Sequence, residues 1–197
     1  MSSPEVGTPA FAYLGNRDGA PAPAVSPIFE ETPVRSALGR DALKESKRAV
    51  PVSLSIPAIN LKTRVDNVGV DRRTRQLAVP KSAESVVWYE HGPTPGEPGS
   101  AVLAAHVDFN GVAGAFFRLR DVGPGERIAV ALSDGTTSHF EVVARRKYDR
   151  DRLPNARIFT SSGPPVLTLI TCGGRFDSER GRYASNVVVF AVPLSSA

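Results

Sequence analysis

One cysteine, Cys172, closes the run LTLITC and is followed directly by Gly173 and Gly174. The thiolate is the reactive form of cysteine, and a neighbouring imidazolium or guanidinium lowers the pKa that otherwise leaves most of it protonated at pH 7. Three histidines compete to be that neighbour. His139 lies in TTSHFEVVA, where alternation puts Phe140 and Val142 on one face and His139 with Glu141 on the solvent face. His91 lies in the turn-rich YEHGPTPGEPG. His106 differs, because it closes the apolar run AVLAA and so stands, like Cys172, at a strand end. Two glycines behind the sulfur allow a substrate backbone close approach, and their N–H groups can face a developing oxyanion. On the residues alone an inert reading stays open too, since free cysteine usually packs as a small buried hydrophobe and a strand-end histidine needs no special role.

Strands must position these groups. From Pro51 onward short β-favouring runs recur between turn signals: PVSLSIP, QLAVP, SVVWY, SAVLAAHV, RIAVAL, HFEVVA, PVLTLITC and NVVVFAV. PTPGEPGS, VGPGE and SDGTT supply the turns between them. The pattern predicts an all-β fold, an eight-stranded closed or nearly closed barrel with short helices in the connections, which also removes exposed edges. Side chains from distant segments converge where barrel strands end. The stretch RRKYDRDRLPNARIFTSSGPP, 145–165, reads as a long turn-rich wall beside that rim, with Leu153, Pro154 and Ile158 as its apolar candidates for binding substrate.

Composition narrows the function classes. With 197 residues the chain has room for one ordinary domain plus an appended segment. We place a Pro/Ala-rich arm or linker over 1–49, with a short amphipathic helix over 36–49, and the folded domain over 50–197. Seventeen glycines and seventeen prolines spread along the chain argue against a helical bundle. The net charge of +4 is scattered, with no basic run interleaved with aromatics, so nucleic acid is not an expected partner. A single cysteine leaves no intrachain disulfide, and the histidines show no metal-ligand spacing, so neither a metal nor another cofactor is expected. No run reaches the roughly 18 apolar residues of a membrane span. Any membrane attachment is expected to depend on an anchor that this chain does not contain.

The segments IPAINLKTRV, VVWYEHGPTPGEPGSAVLAAHVD, FFRLRDVGPGERIAV and TLITCGGRFDSERGRYASNVVVFA resemble, in order, those of a sortase of the class F, actinobacterial type. TLITC resembles the sortase cysteine signature, and CGG followed by FD and NVVV resembles its class F form. The resemblance implies a sortase barrel with a catalytic Cys, His and Arg set: Cys172 as nucleophile, His106 as acid/base and, by position, Arg182. Relatives carry the arginine just before the last apolar run, where this chain has Ala184. Arg182 shares a face with that position by strand period, while Arg180 and Arg175 are competitors. Ala105 stands where relatives often have glycine. Thr171 and Gly173, which flank the sulfur, join Leu153, Pro154 and Ile158 as substrate-binding candidates. The activity implied is cysteine transpeptidation: cleavage of an LPxTG-like sorting signal after threonine, through a thioester acyl-enzyme, and transfer to an amine of a cell-wall precursor or pilin. The place implied is the extracellular face of a Gram-positive cell membrane. A barrel that only binds such peptides is the alternative.

Overall fold

The computed structural model describes residues 48–69, 80, 82–179 and 181–194. The expected arm with its helix, and the strand expected at QLAVP, lie outside the described residues except for residues 48, 49 and Pro80. The strands are β1 (Pro51–Ile56), β2 (Leu61–Val68), β3 (Val86–Tyr89), β4 (Ser100–Ala105), β5 (Asp108–Phe109), β6 (Val112–Ala113), β7 (Arg127–Leu132), β8 (Thr137–Asp149), β9 (Val166–Asp177) and β10 (Arg182–Pro193). Eight of them close a barrel in the order β1-β2-β3-β4-β9-β10-β8-β7, with β7 pairing back onto β1, and β5 and β6 form a separate hairpin. The expected all-β, eight-stranded barrel is therefore the observed one. Short helical turns at Pro57–Ile59, Leu119–Asp121 and Arg150–Arg152, and the helix α1 (Asn155–Ile158), lie in the connections.

One barrel strand, β2, was not expected from its sequence. LKTRVDNV buries only Val65, so most of its side chains carry no apolar signal. It pairs antiparallel with β1 and parallel with β3. β8 likewise continues through Arg145–Asp149, residues that the turn-rich reading of 145–165 had placed in the connection.

Alternation on the central strands builds two apolar layers. Inside the barrel, Leu54, Ile56, Trp88, Leu103, Val130, Phe140, Leu167, Leu169 and Val189 pack together. Each large apolar side chain removed from water contributes about 1.5–3 kcal/mol. On the outer face Val87, Val102, Ala104, Ile170, Cys172, Val188 and Phe190 form a second cluster, covered by Leu153 and Ile158 from the β8–β9 connection. β4 is buried on both faces, which explains the uninterrupted apolar run SAVLAA. The covering connection is held by Phe159, edge-on to Tyr89 with centroids 5.6 Å apart, and by the Arg157 guanidinium, 5.2 Å from the Phe190 ring centre.

Candidate active site

β4 and β9 run parallel, with Val102 opposite Thr168 and Ala104 opposite Ile170. His106 follows directly on β4 and Cys172 continues β9, and alternation carries both to the outer face where these two paired strands run out. Both are nearly enclosed, at 2% and 3% exposure. Four local contacts fix the histidine. The Thr171 hydroxyl donates to the Ala105 carbonyl at 2.8 Å, tying β9 to β4 one residue before the pair. The backbone N–H of Phe116 donates to the His106 carbonyl at 3.1 Å, and that of Gly114 to Val107 at 2.9 Å. His106 Nε2 lies 2.9 Å from the Pro80 carbonyl oxygen, which can only accept. Nε2 therefore carries a proton, and in the neutral ring Nδ1 is the atom left to take one.

Burial pushes the Cys172 thiol up to about 11; the Arg150 guanidinium opposes this shift and the Asp108 carboxylate adds to it. The Tyr183 hydroxyl, on β10, donates a hydrogen bond to Asp108 Oδ2. Burial, then that bond and charge, and then the charge of Cys172 push Tyr183 up to about 12, so it remains a donor at neutral pH. The bond ties β10 to the β5–β6 hairpin across the site. Phe109 of that hairpin lies on the His106 ring, with centroids 4.8 Å apart.

The other expected site residues fall differently. Arg182 opens β10 opposite Asp177, five residues along β9 from Cys172, and its charge is felt by Arg150. Arg175 is exposed on β9, in a strand and not in the loop expected for it, and Arg180 lies outside the described residues. Thr171 follows Leu167 and Leu169 on the inner face, so its side chain points away from the sulfur and serves as a strand tether. The glycines answer mainly to packing. A Cβ at Gly173 would lie 2.9 Å from Val187 Cγ2, while Gly174 has φ +79° and a Cβ there would collide with Ser185 Oγ. Ile158 is fully buried and Leu153 nearly so, in the same cluster as Cys172, while Pro154 is half-buried at the surface. Arg150, which no spacing argument singled out, is the guanidinium coupled to the thiol. Its signal was hidden in RRKYDRDR, where charges on a continuing strand look like a loop.

A model of the sortase domain family matches residues 54–194. No curated protein sequence matches the chain. Among solved structures, the chain is similar to sortase C1 of GBS pilus island 1, with 21% identity over 74% of this chain and 64% of that one and a TM-score of 0.55. It is also similar to sortase A from Corynebacterium diphtheriae, with 19% identity over 78% and 64% and a TM-score of 0.56. Sortase C-1 from Actinomyces oris gives 21% identity over 74% and 76% and a TM-score of 0.55. The chain spans just under two thirds of the length of the first two. At these identities the structures establish a shared barrel, and the family match adds the sequence of that barrel from the core residue Leu54 of β1 to Leu194, just past the end of β10. With fold and sequence in agreement over the region that holds His106 and Cys172, the chain belongs to the sortase family.

Proposed function

We propose that this sortase is a cysteine transpeptidase of the class F type, acting on an LPxTG-like sorting signal at the extracellular face of a Gram-positive membrane. The observation that supports the reading is the parallel register of β4 and β9, from which alternation carries His106 and Cys172 to the same outer face, next to an apolar cluster. The sorting signal lies extended along that face, with its Leu-Pro part against Pro154, which is backed by Leu153 and Ile158. Thr171 and Gly173 act from beneath, holding β9 to its neighbours.

The Cys172 sulfur bonds to the threonine carbonyl carbon as its proton passes to His106 Nδ1, and the carbonyl π electrons move to oxygen. When the oxyanion collapses, the C–N bond breaks and His106 returns the proton to the departing amine. The thioester is then attacked by an amine of a cell-wall precursor or a pilin lysine, giving a new amide and the free thiol. With a thiol pushed up to about 11, only about one molecule in 10⁴ carries a thiolate at pH 7, so proton transfer to His106 must accompany attack.

A barrel that binds peptides without turnover remains the competing reading, and the raised thiol is the observation in its favour. The test is a panel of LPxTG-like peptides incubated with several amines, with products identified by mass. The reading expects cleavage after threonine and amine-dependent ligation, both lost in Cys172→Ala. Binding without cleavage across the panel would sink it.

A further inference from the structure

Tyr148 on β8, Asn186 on β10 and Cys172 on β9 form one row across three neighbouring strands. Asp149, Ser185 and Gly173 form the next row, on the opposite side of the sheet by alternation. That pairing ends at Asp149 and Ser185: on β8 the turn Arg150–Arg152 follows directly, and on β10 Ala184 precedes Ser185 at an irregularity in the pairing with β9. Ala184 contributes only a methyl group to this end of β10. The Arg150–Arg152 turn packs directly on β10. Tyr148 and Cys172 stand two strand spacings apart, about 10 Å, and Arg150 follows two residues after Tyr148.

We propose that Arg150, delivered by the turn after β8, is the catalytic cation of this site, holding the substrate carbonyl oxygen as it becomes an oxyanion, in place of Arg182. The assignment rests on the transpeptidase reading above and gives it a third residue. The electrostatics agree. Arg150 acts on the Cys172 thiol in the direction that favours thiolate, against Asp108. Burial lowers the pKa of Arg150, the charge of Cys172 raises it, Arg182 lowers it as a like charge and Asp151 raises it. Arg182 is thus a charged neighbour of Arg150 and is not among the groups that act on the Cys172 thiol. Among the described residues, none forms a hydrogen bond or salt bridge with the Arg150 guanidinium, which leaves its planar fork open to two acceptors.

The test compares Arg150→Ala, Arg150→Lys, Arg182→Ala and the double variant Arg150→Ala, Ala184→Arg. For sorting-peptide cleavage, Arg150→Ala is expected to lower kcat/KM by about 10²-fold or more, as for loss of an oxyanion donor. Arg150→Lys recovers only part, because an ammonium lacks the fork. The double variant regains at least about tenfold by presenting a guanidinium on the same side of the sheet, and Arg182→Ala stays within about threefold. The second readout needs no peptide: the pH midpoint of Cys172 alkylation by iodoacetamide rises in Arg150→Ala and stays unchanged in Arg182→Ala, with equal melting temperatures. Arg150→Gln carries the same comparison if the alanine variant does not fold. Wild-type kcat/KM and an unmoved alkylation midpoint in the Arg150 variants would overturn the assignment, as would both losses in Arg182→Ala. If the wild type cleaves no sorting peptide, the transpeptidase reading fails by itself. The alkylation midpoint then decides separately whether Arg150 acts on the sulfur.

Discussion

Gly114 controls the position of His106 without touching its ring. A Cβ on this residue would lie 2.6 Å from the His106 carbonyl carbon and 3.0 Å from its Cβ, where carbon atoms need about 3.5 Å. Gly114→Ala must therefore open about 1 Å between two backbone segments that are hydrogen-bonded at both Val107 and His106. Overpacking of this kind costs about 1–3 kcal/mol of stability. A displacement of about 1 Å at His106 is also enough to lower kcat/KM by about 10²-fold, since acid/base transfer depends on alignment at that scale. The assay is sorting-peptide cleavage together with urea unfolding, with Gly123→Ala as the control. Gly123 has no atom within 4 Å of its added Cβ, so that variant should match the wild type in both. If Gly114→Ala keeps kcat/KM within about twofold, the claim that this turn sets His106 is refuted.

Thr171→Val keeps shape but removes the donor to the Ala105 carbonyl, and should cost about 1–2 kcal/mol in urea unfolding together with a fall in kcat. Ile158→Ala opens the cover over Cys172; it should lose about 2–5 kcal/mol and speed iodoacetamide alkylation, because part of the desolvation that raises the thiol is relieved. Alkaline stability follows from the same thiol. The folded chain holds its proton up to about 11, against an unfolded value of about 8.5. The folded state thus binds more protons across that window, so stability is fully present below about pH 8.5 and falls by about 2–3 kcal/mol as pH rises toward 11. Cys172→Ala should remove that part of the fall, seen by comparing urea unfolding of both proteins at about pH 8 and about pH 10.5; an identical decline in both would contradict the buried thiol.

Much of the barrel could be read from sequence because its central strands carry their burial in their patterns. SAVLAA is apolar throughout because both its faces are covered, and RIAVAL alternates because one is. Cys172 and His106 stood out as polar or reactive groups closing such runs. What stayed hidden shares one cause: backbone pairing enforces structure where side chains give no sign of it. β2 is a barrel strand with one buried residue, and the end of β8 is a strand whose exposed Arg145, Arg146 and Lys147 read as a solvated turn. Arg150 follows from that same misreading, since the turn that carries it is set by β8 continuing in register to Asp149. The glycines after Cys172 show the converse. Their spacing suggested room for substrate, and the fold adds a packing reason that sequence could not show: a Cβ at either would meet Val187 or Ser185 of the adjacent strand.

The central claim is a thioester on Cys172, and intact-protein mass spectrometry tests it most directly. The protein is mixed with an LPxTG-like peptide in the absence of amine, quenched in acid and mapped by proteolysis. The account predicts an added mass equal to the peptide through its threonine carbonyl, located on Cys172, absent in Cys172→Ala and discharged by hydroxylamine. Cleavage of the peptide with no adduct at Cys172, or an adduct that persists in Cys172→Ala, would contradict it.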